Sequence, residues 1–176
     1  SNPGTESQPW AHCPGMQGWT GSGTLVAGDY VYFKNSETWT SSSDHVLVVT
    51  GGVTYDGSTW GVGTRAKFQV TADPTSKKGT IIDFIADHAT IETVVTGFEL
   101  DGGNYETTGV GMAWPKTPAS QLTGATKRIQ NCVIHNCGRG DQVEYHYGIV
   151  IGPWNHTTIS NVEILNNTVY DIGRDG

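Results

Sequence analysis

The segment 128–139, RIQNCVIHNCGR, returns without a gap at 163–174 as EILNNTVYDIGR, an offset of 35 residues. Apolar, Asn and Gly positions coincide in the two copies. The matching pairs are Ile129 with Ile164, Asn131 with Asn166, Ile134 with Val169, Cys137 with Ile172, Gly138 with Gly173 and Arg139 with Arg174. Self-similarity at such a period is typical of a solenoid, in which each repeat stacks on the next.

Two earlier segments share features of this repeat. In 94–102, Val95 and Leu100 have the same spacing as Ile129 and Ile134. The segment 48–57 aligns with 94–102 if one gap of one residue is allowed. We therefore predict that all four segments are one kind of rung. In this alignment Asp56 and Asp101, each followed by Gly, are equivalent turn residues.

The local pattern indicates strands throughout. Short β-branched runs such as 46–49, 80–82 and 148–151 are bounded by Gly, Asp, Asn or Pro. No window shows the apolar spacing of an amphipathic helix. An Asn at each bend accepts left-handed backbone angles, so stacked Asn residues can form a ladder along a coil. Trp10, Met16 and Trp19 are predicted to cover the first coil.

These residues resemble the right-handed parallel β-helix of the pectate-lyase-like superfamily, in the coil repeat 164–176 and in the Gly28-Asp29 turn that leads into 30–33. The resemblance implies an all-β, right-handed, single-stranded parallel β-helix. We expect an N-terminal cap segment over 1–24 and coils over 25–176, with loop insertions at roughly 103–127 and 139–147. The coil pattern stops at 176 without a visible cap, so we expect further coils or another chain to cover that edge.

Composition restricts the class of partner. The chain of 176 residues carries 10 Lys and Arg against 17 Asp and Glu, a formal net charge of −7. This balance argues against nucleic acid, because binding to phosphates needs clustered cations. No apolar run is long enough for a membrane span. The low share of charged residues, 15%, and the Gly-rich, polar composition are typical of secreted proteins, so we expect an extracellular location.

Three cysteines, Cys13, Cys132 and Cys137, leave at least one thiol without an intramolecular partner. An extended segment would hold Cys132 and Cys137 too far apart for a disulfide, unless the chain bends sharply between them. A bridge from Cys13 to either one remains open. Cys137 occupies an Ile position of the repeat, which favours a buried, structural thiol.

Candidate chemistry is concentrated in the insertion that follows the 128–139 rung. In the resembled family, carboxylates in such loops hold Ca²⁺ or act as an acid and base, and an Arg can act as the base of β-elimination. Aromatic residues supply faces for sugar rings. The candidate catalytic residues are Asp141, Glu144, His146 and Arg139; the candidate substrate-binding residues are Tyr145, Tyr147, Trp154 and Arg174; and the candidate Ca²⁺ ligands are Asp141 and Glu144.

Two structural alternatives remain. The insertion could be a solvated loop whose acidic residues only form turns, and Arg139 and Arg174 could belong to a structural ladder of Arg–Asp pairs on the coil surface. No zinc spacing links His12 and Cys13 to His135 or His146, so a metal site of these residues is rejected.

We therefore expect a polysaccharide lyase or glycoside hydrolase that acts on an acidic or plant or algal polysaccharide or oligosaccharide. The competing hypothesis is a non-enzymatic β-helix, such as a surface fibre, a tailspike segment or a glycan-binding module.

Overall fold

The computed structural model describes residues 4–74, 79–84, 86–87, 89–112, 121–138, 146–152 and 159–173. Within these ranges the chain forms strands and turns, and no helix. The strands are Tyr30–Lys34 (β1), Thr38–Ser41 (β2), His45–Val48 (β3), Thr54–Trp60 (β4), Lys67–Val70 (β5), Gly79–Phe84 (β6), Ala86–Asp87 (β7), Thr93–Thr96 (β8), Glu99–Tyr105 (β9), Thr107–Met112 (β10), Gln121–Leu122 (β11), Lys127–Gln130 (β12), Val133–Cys137 (β13), Ile149–Ile151 (β14), Val162–Leu165 (β15) and Thr168–Ile172 (β16).

The strands build three parallel sheets, which the chain visits in a fixed cycle. The first sheet has the order β1-β4-β8-β12-β15, the second β2-β5-β9-β13-β16, and the third β3-β6-β10-β14. A short parallel pair, β7 with β11, accompanies them. Because each circuit of the chain adds one strand to each sheet, the molecule is an all-β parallel β-helix, as predicted. Part of the range 103–127 that was expected to be a loop forms β10 and β11.

The core consists of side chains stacked from coil to coil. Tyr55, Val95 and Ile129 align along the first sheet, and all three are fully buried. Along the second sheet, Phe68, Leu100, Ile134 and Val169 form the equivalent row. The pairing of Ile129 with Ile164 and of Cys137 with Ile172 confirms the register that the 35-residue repeat predicts.

Burial changes at the last described coil. Ile129 and Ile134 are 0% exposed, whereas Ile164 is 44% exposed and Val169 is 40% exposed. The reason is geometric: an inner coil has a neighbour on both sides along the stack, and no described strand pairs with the far side of β15 or β16.

The Asn positions of the repeat form the predicted bends. Asn131 and Asn166 have φ values of 54° and 53°, and Asn136 and Asp171 have 54° and 51°. Asn and Asp accept this left-handed region more readily than other side chains that carry a Cβ. Asn167 also joins adjacent coils, because its Oδ1 accepts a hydrogen bond from the Cys132 N–H at 2.9 Å and its Nδ2 donates to the Ile129 carbonyl at 2.9 Å.

The predicted equivalence of Asp56 and Asp101 is wrong. Asp56 pairs with Thr96 in the first sheet, whereas Asp101 pairs with His135 in the second. The first sheet places Tyr55, not a residue of 48–49, on Val95. The runs 48–51 and 94–97 are both Val-Val-Thr-Gly, which explains the predicted alignment. In the structure, the residue that stacks on Val95 in the core is the fully buried Tyr55.

Glycines of the third sheet allow it to pack closely against the second. A Cβ on Gly109 would collide with Ile134, and one on Gly148 would collide with Val169. These contacts explain why glycine stands directly before Val110 of β10 and Ile149 of β14.

The N-terminal segment covers the first coil. Met16 is buried and forms an antiparallel bridge with Leu47. The Val48 N–H donates to the Gly15 carbonyl at 2.9 Å, which extends this contact. The rings of Trp10 and Trp19 meet edge to face with centroids 5.0 Å apart. These contacts pair the backbone of the edge strand β3, which would otherwise be open on this side.

The three cysteines are free and buried. Burial raises the pKa of Cys13 and Cys137 to about 12 and that of Cys132 to about 11, although hydrogen bonds from nearby backbone groups oppose the shift. The thiols are therefore neutral near pH 7 and pack as small apolar groups, as predicted for Cys137.

Asp83 of β6 is a buried carboxyl group that is only 3% exposed. Its Oδ1, like the buried Oγ1 of Thr80, makes no hydrogen bond within the part of the chain that the structure describes. Burial raises the pKa of Asp83 to about 8, and its effect exceeds the opposing effect of the nearby Thr80 hydroxyl. Asp83 is thus largely protonated in the folded protein at neutral pH.

The difference in burial along the stack is testable with one matched pair of substitutions. Ile129→Ala should lower the free energy of unfolding by about 2–5 kcal/mol, because it opens a cavity between two coils. Ile164→Ala, at the equivalent position of the last described coil, should cost about 1 kcal/mol or less, since much of that side chain already faces solvent. Urea denaturation measures both, and equal losses would contradict the stacking account.

Asp83→Asn should remove a pH-dependent penalty. Because the carboxyl pKa is raised in the folded state, wild-type stability falls as pH rises from about 4 towards about 8, and then levels off. We expect the variant and the wild type to be similarly stable near pH 4, and the variant to be more stable by about 4–6 kcal/mol near pH 9, because each pKa unit between the unfolded and folded values corresponds to about 1.4 kcal/mol. Thermal unfolding at both pH values measures this, and a difference that does not change with pH would argue against a buried carboxyl.

Candidate functional site

The outer face of the second sheet carries a row of polar side chains. Side chains alternate between the two faces of a strand, so the inward positions of Phe68, Leu100 and Ile134 leave their neighbours pointing outward. Thr40, Gln69, Asp101, His135 and Tyr170 stand in register across the five strands. Lys67 and Glu99 are paired in the adjacent row.

Four of these residues form one contact network, which we call the Lys67 cluster: Lys67, Glu99, Asp101 and His135. Lys67 Nζ lies 2.9 Å from Glu99 Oε1 and 2.9 Å from Asp101 Oδ2. His135 Nε2 lies 3.2 Å from Glu99 Oε1, and its Nδ1 lies 3.8 Å from Asp101 Oδ1. One ligand atom from each of Glu99, Asp101 and His135 lies within 4.8 Å of the others.

Asp101 is the most firmly held member. Its Oδ1 accepts a hydrogen bond from the Gly103 N–H at 2.9 Å and one from Asn136 Nδ2 at 3.1 Å. Its Oδ2 accepts one from Gln69 Nε2 at 3.0 Å, beside the contact with Lys67. These donors come from three adjacent strands, so the position of the carboxylate depends on the register of the sheet.

The Lys67 ammonium and the carboxylates of Glu99 and Asp101 stabilise one another in their charged forms. Burial alone would raise the pKa of Glu99 and Asp101. The hydrogen bonds and the positive charge of Lys67 oppose this effect, and the pKa of each carboxyl group is lowered overall. His135 contributes to the lowering at Glu99, and the Gly103 N–H and Asn136 contribute to it at Asp101. Burial would lower the pKa of Lys67, but its bonds to the two carboxylates raise it. Both carboxylates are therefore ionised at neutral pH, and Lys67 is protonated.

The cluster is reachable from solvent at one side. The side chains of Lys67 and Glu99 are 26% and 30% exposed, whereas those of Asp101 and His135 are 7% and 10% exposed. The rings of His135 and Tyr170 stack with centroids 5.1 Å apart and planes 7° from parallel. Tyr170 is 45% exposed, so an aromatic surface continues the polar row towards the next coil.

The Lys67 cluster does not suit Ca²⁺. Ca²⁺ takes about six to eight oxygen ligands, whereas His135 offers nitrogen and only two carboxylates converge here. The Lys67 ammonium also contacts both carboxylates and competes with any cation.

Most of the predicted site residues lie outside the described residues. These are Arg139, Asp141, Glu144, Tyr145, Trp154 and Arg174, which include both predicted Ca²⁺ ligands. His146 and Tyr147 are described. His146 is 2% exposed, and Tyr147 is partly buried, with its carbonyl accepting a hydrogen bond from the Gly109 N–H at 2.9 Å. Neither residue belongs to the Lys67 cluster.

The sequence prediction missed the Lys67 cluster. Asp101 was predicted to serve turn geometry, and His135 was considered only for a zinc site. A usable signal was present, because Glu99 and Asp101 are two residues apart on one strand and therefore share a face. The spacing of Leu100 and Ile134 in the repeat also places His135 beside Asp101. Lys67 carried no such signal, because its strand was not assigned to a rung.

Comparison with known proteins finds no matching family model, no matching curated protein and no matching solved structure. In the described part of the chain there is also no helix that could cross a membrane.

Lys67→Met should destabilise the protein at neutral pH and have little effect in acid. The lowered pKa values of Glu99 and Asp101 mean that the ion pairs stabilise the fold above about pH 4 and are lost as pH falls through the folded-state values. We expect a loss of about 1–3 kcal/mol at pH 7 and a much smaller loss near pH 2. Urea denaturation at the two pH values measures the difference.

Lys34→Met is the matched control, because the Lys34–Glu37 pair is 55% exposed on both sides. Its effect should stay within about 0.5 kcal/mol at either pH. If the two lysine variants behave alike, the Lys67 cluster does not stabilise the fold.

Proposed function

We propose that this chain is an extracellular, carbohydrate-directed β-helix protein of the pectate-lyase-like kind that cleaves a polysaccharide at the Lys67 cluster. One observation carries the proposal: two ionised carboxylates and a histidine lie together on the outer, partly exposed face of a parallel sheet. The long face of a β-helix accommodates an extended chain of sugars. Carboxylate pairs on such a face are the groups that glycoside cleavage uses.

The separation of the carboxylates favours hydrolysis with a covalent or ion-paired intermediate. One oxygen of Glu99 and one of Asp101 lie within 4.8 Å of each other. This is nearer the separation of about 5–5.5 Å between the carboxyl groups of retaining glycosidases than the separation of about 6.5–9.5 Å in inverting ones. Asp101, ionised and held by several donors, is suited to stabilise positive charge at the sugar carbon. Glu99 is ionised and cannot itself protonate the leaving oxygen, so its partner His135 is the group that would donate that proton, and Glu99 would hold the imidazole in place.

Charge favours a neutral glycan over a uronate. Lys67 contributes +1 while Glu99 and Asp101 contribute −2, which leaves −1 before His135 is counted. A substrate carboxylate would be repelled unless Lys67 turned towards it. The hydrolysis of a neutral plant or algal polysaccharide is therefore the leading proposal, and β-elimination of an acidic one is the second enzymatic possibility.

A non-enzymatic, glycan-binding role is favoured by a different observation. Each member of the Lys67 cluster already has partners within the sheet, and the polar row extends through His135 to the stacked ring of Tyr170. Such a row could bind sugars or support assembly without any reaction.

Turnover separates these possibilities. Wild-type protein is incubated with neutral and uronate-containing polysaccharides, and reducing ends and unsaturated products are measured separately. We expect reducing ends from a neutral glycan. Glu99→Gln and Asp101→Asn should each lower the rate by about a hundredfold or more, because each removes charge or proton transfer at the reacting bond.

Glu163→Gln is the control, since Glu163 pairs with Arg128 on the first sheet. It should retain the wild-type rate. Binding of glycans without any product would support the non-enzymatic role. If both Glu99→Gln and Asp101→Asn still cleave the polysaccharide, the Lys67 cluster is not the catalytic site.

A further inference from the structure

A cavity of about 430 Å³ lies between the N-terminal segment and the first coil. Its volume falls in the range of small-molecule sites, about 300–1,000 Å³. It is separate from the Lys67 cluster, because none of that cluster's residues lines it. The N-terminal segment is fixed over it in part by Trp39, whose Nε1–H donates to the Ala11 carbonyl at 2.8 Å.

Aromatic side chains make up much of the wall. They are Trp10, Tyr30, Tyr32, Phe33, Trp39 and Trp60. Phe33 and Trp39 pack edge to face, with ring planes at 90° and centroids 5.0 Å apart. Tyr30 and Tyr32 are stacked with centroids 6.3 Å apart and are 65% and 51% exposed, which places them at a solvent-facing mouth.

The lining carries two carboxylates and one imidazole. Glu6 and Asp29 supply the carboxylates, His12 supplies the imidazole, and no Lys or Arg lines the cavity. Asp29 Oδ2 accepts a hydrogen bond from the Val26 N–H at 2.8 Å, which holds this carboxylate in place. Cys13 adds no charge, because burial raises the pKa of its thiol to about 12.

We propose that this cavity binds an organic cation of the quaternary ammonium type. The negative faces of Trp and Tyr rings attract such cations, and the two carboxylates add to the attraction. The same carboxylates disfavour sulfated, phosphorylated or uronate ligands. A neutral sugar could pack on the rings and donate hydroxyl hydrogen bonds to the carboxylates, but it lacks the positive charge that the carboxylates and the ring faces attract. The inference does not depend on the proposed glycan cleavage.

Calorimetric titration with choline tests the proposal on the full chain. The comparison ligand is 3,3-dimethylbutan-1-ol, which has the same shape without the charge. We expect choline to bind at least tenfold more tightly than the alcohol, and more weakly as ionic strength rises. Glu6→Gln and Tyr32→Leu, both at exposed positions, should each weaken choline binding severalfold.

Glu37→Gln is the matched control, because Glu37 is exposed near β1 and does not line the cavity. It should leave choline affinity unchanged. The proposal is overturned if choline does not bind, if the alcohol binds equally well, or if the Glu6 and Tyr32 variants bind choline like wild type. Equal binding would instead indicate a site for neutral ligands. Loss of polysaccharide cleavage alone would leave the choline result unaffected.

Discussion

The structure depends on apolar side chains that stack in register, at a constant spacing, from each coil to the next. The apolar residue of each strand must stand in register with the apolar residue of the neighbouring strand. A register shift of one residue would turn that side chain from the core to the solvent. Tyr55, Val95 and Ile129 meet this condition in the first sheet. Asn residues with left-handed φ turn the chain at constant positions, so the pitch is kept.

The same register assembles the polar groups on the outer face. Once Phe68, Leu100 and Ile134 are stacked inside, the residues beside them are necessarily stacked outside. The ionised Asp101 is buried, yet it is stable because donors from neighbouring strands and Lys67 converge on it. The apolar core thus positions the charged site, although the core residues have no chemical part in it.

The two ends of the stack have different surroundings. At the N-terminal end, residues 4–24 cover the first coil and enclose an aromatic, acidic cavity. At the last described coil, Ile164 and Val169 are largely uncovered although they occupy core positions of the repeat. Burial at equivalent positions therefore depends on neighbours along the stack and not on residue type.

The sequence alone determined the class of fold and the register of its later coils. The 35-residue repeat predicted the pairing of Ile129 with Ile164 and of Ile134 with Val169, because both copies must place apolar residues on one buried row. It also predicted the Asn bends and the buried Cys137. The earlier coils were harder to predict, since β4 and β5 carry aromatic residues where later coils carry aliphatic ones, and 48–49 resembled a rung by chance.

Only the tertiary structure decided which polar residues meet. Lys67, Glu99 and His135 come from three different coils, and each looks like an ordinary surface residue when it is considered by itself. Their convergence follows from the alignment of whole strands, which needs the register of every intervening coil to be known. The aromatic residues around the N-terminal cavity likewise come from separate segments, which the chain brings together only when it folds back over its first coil.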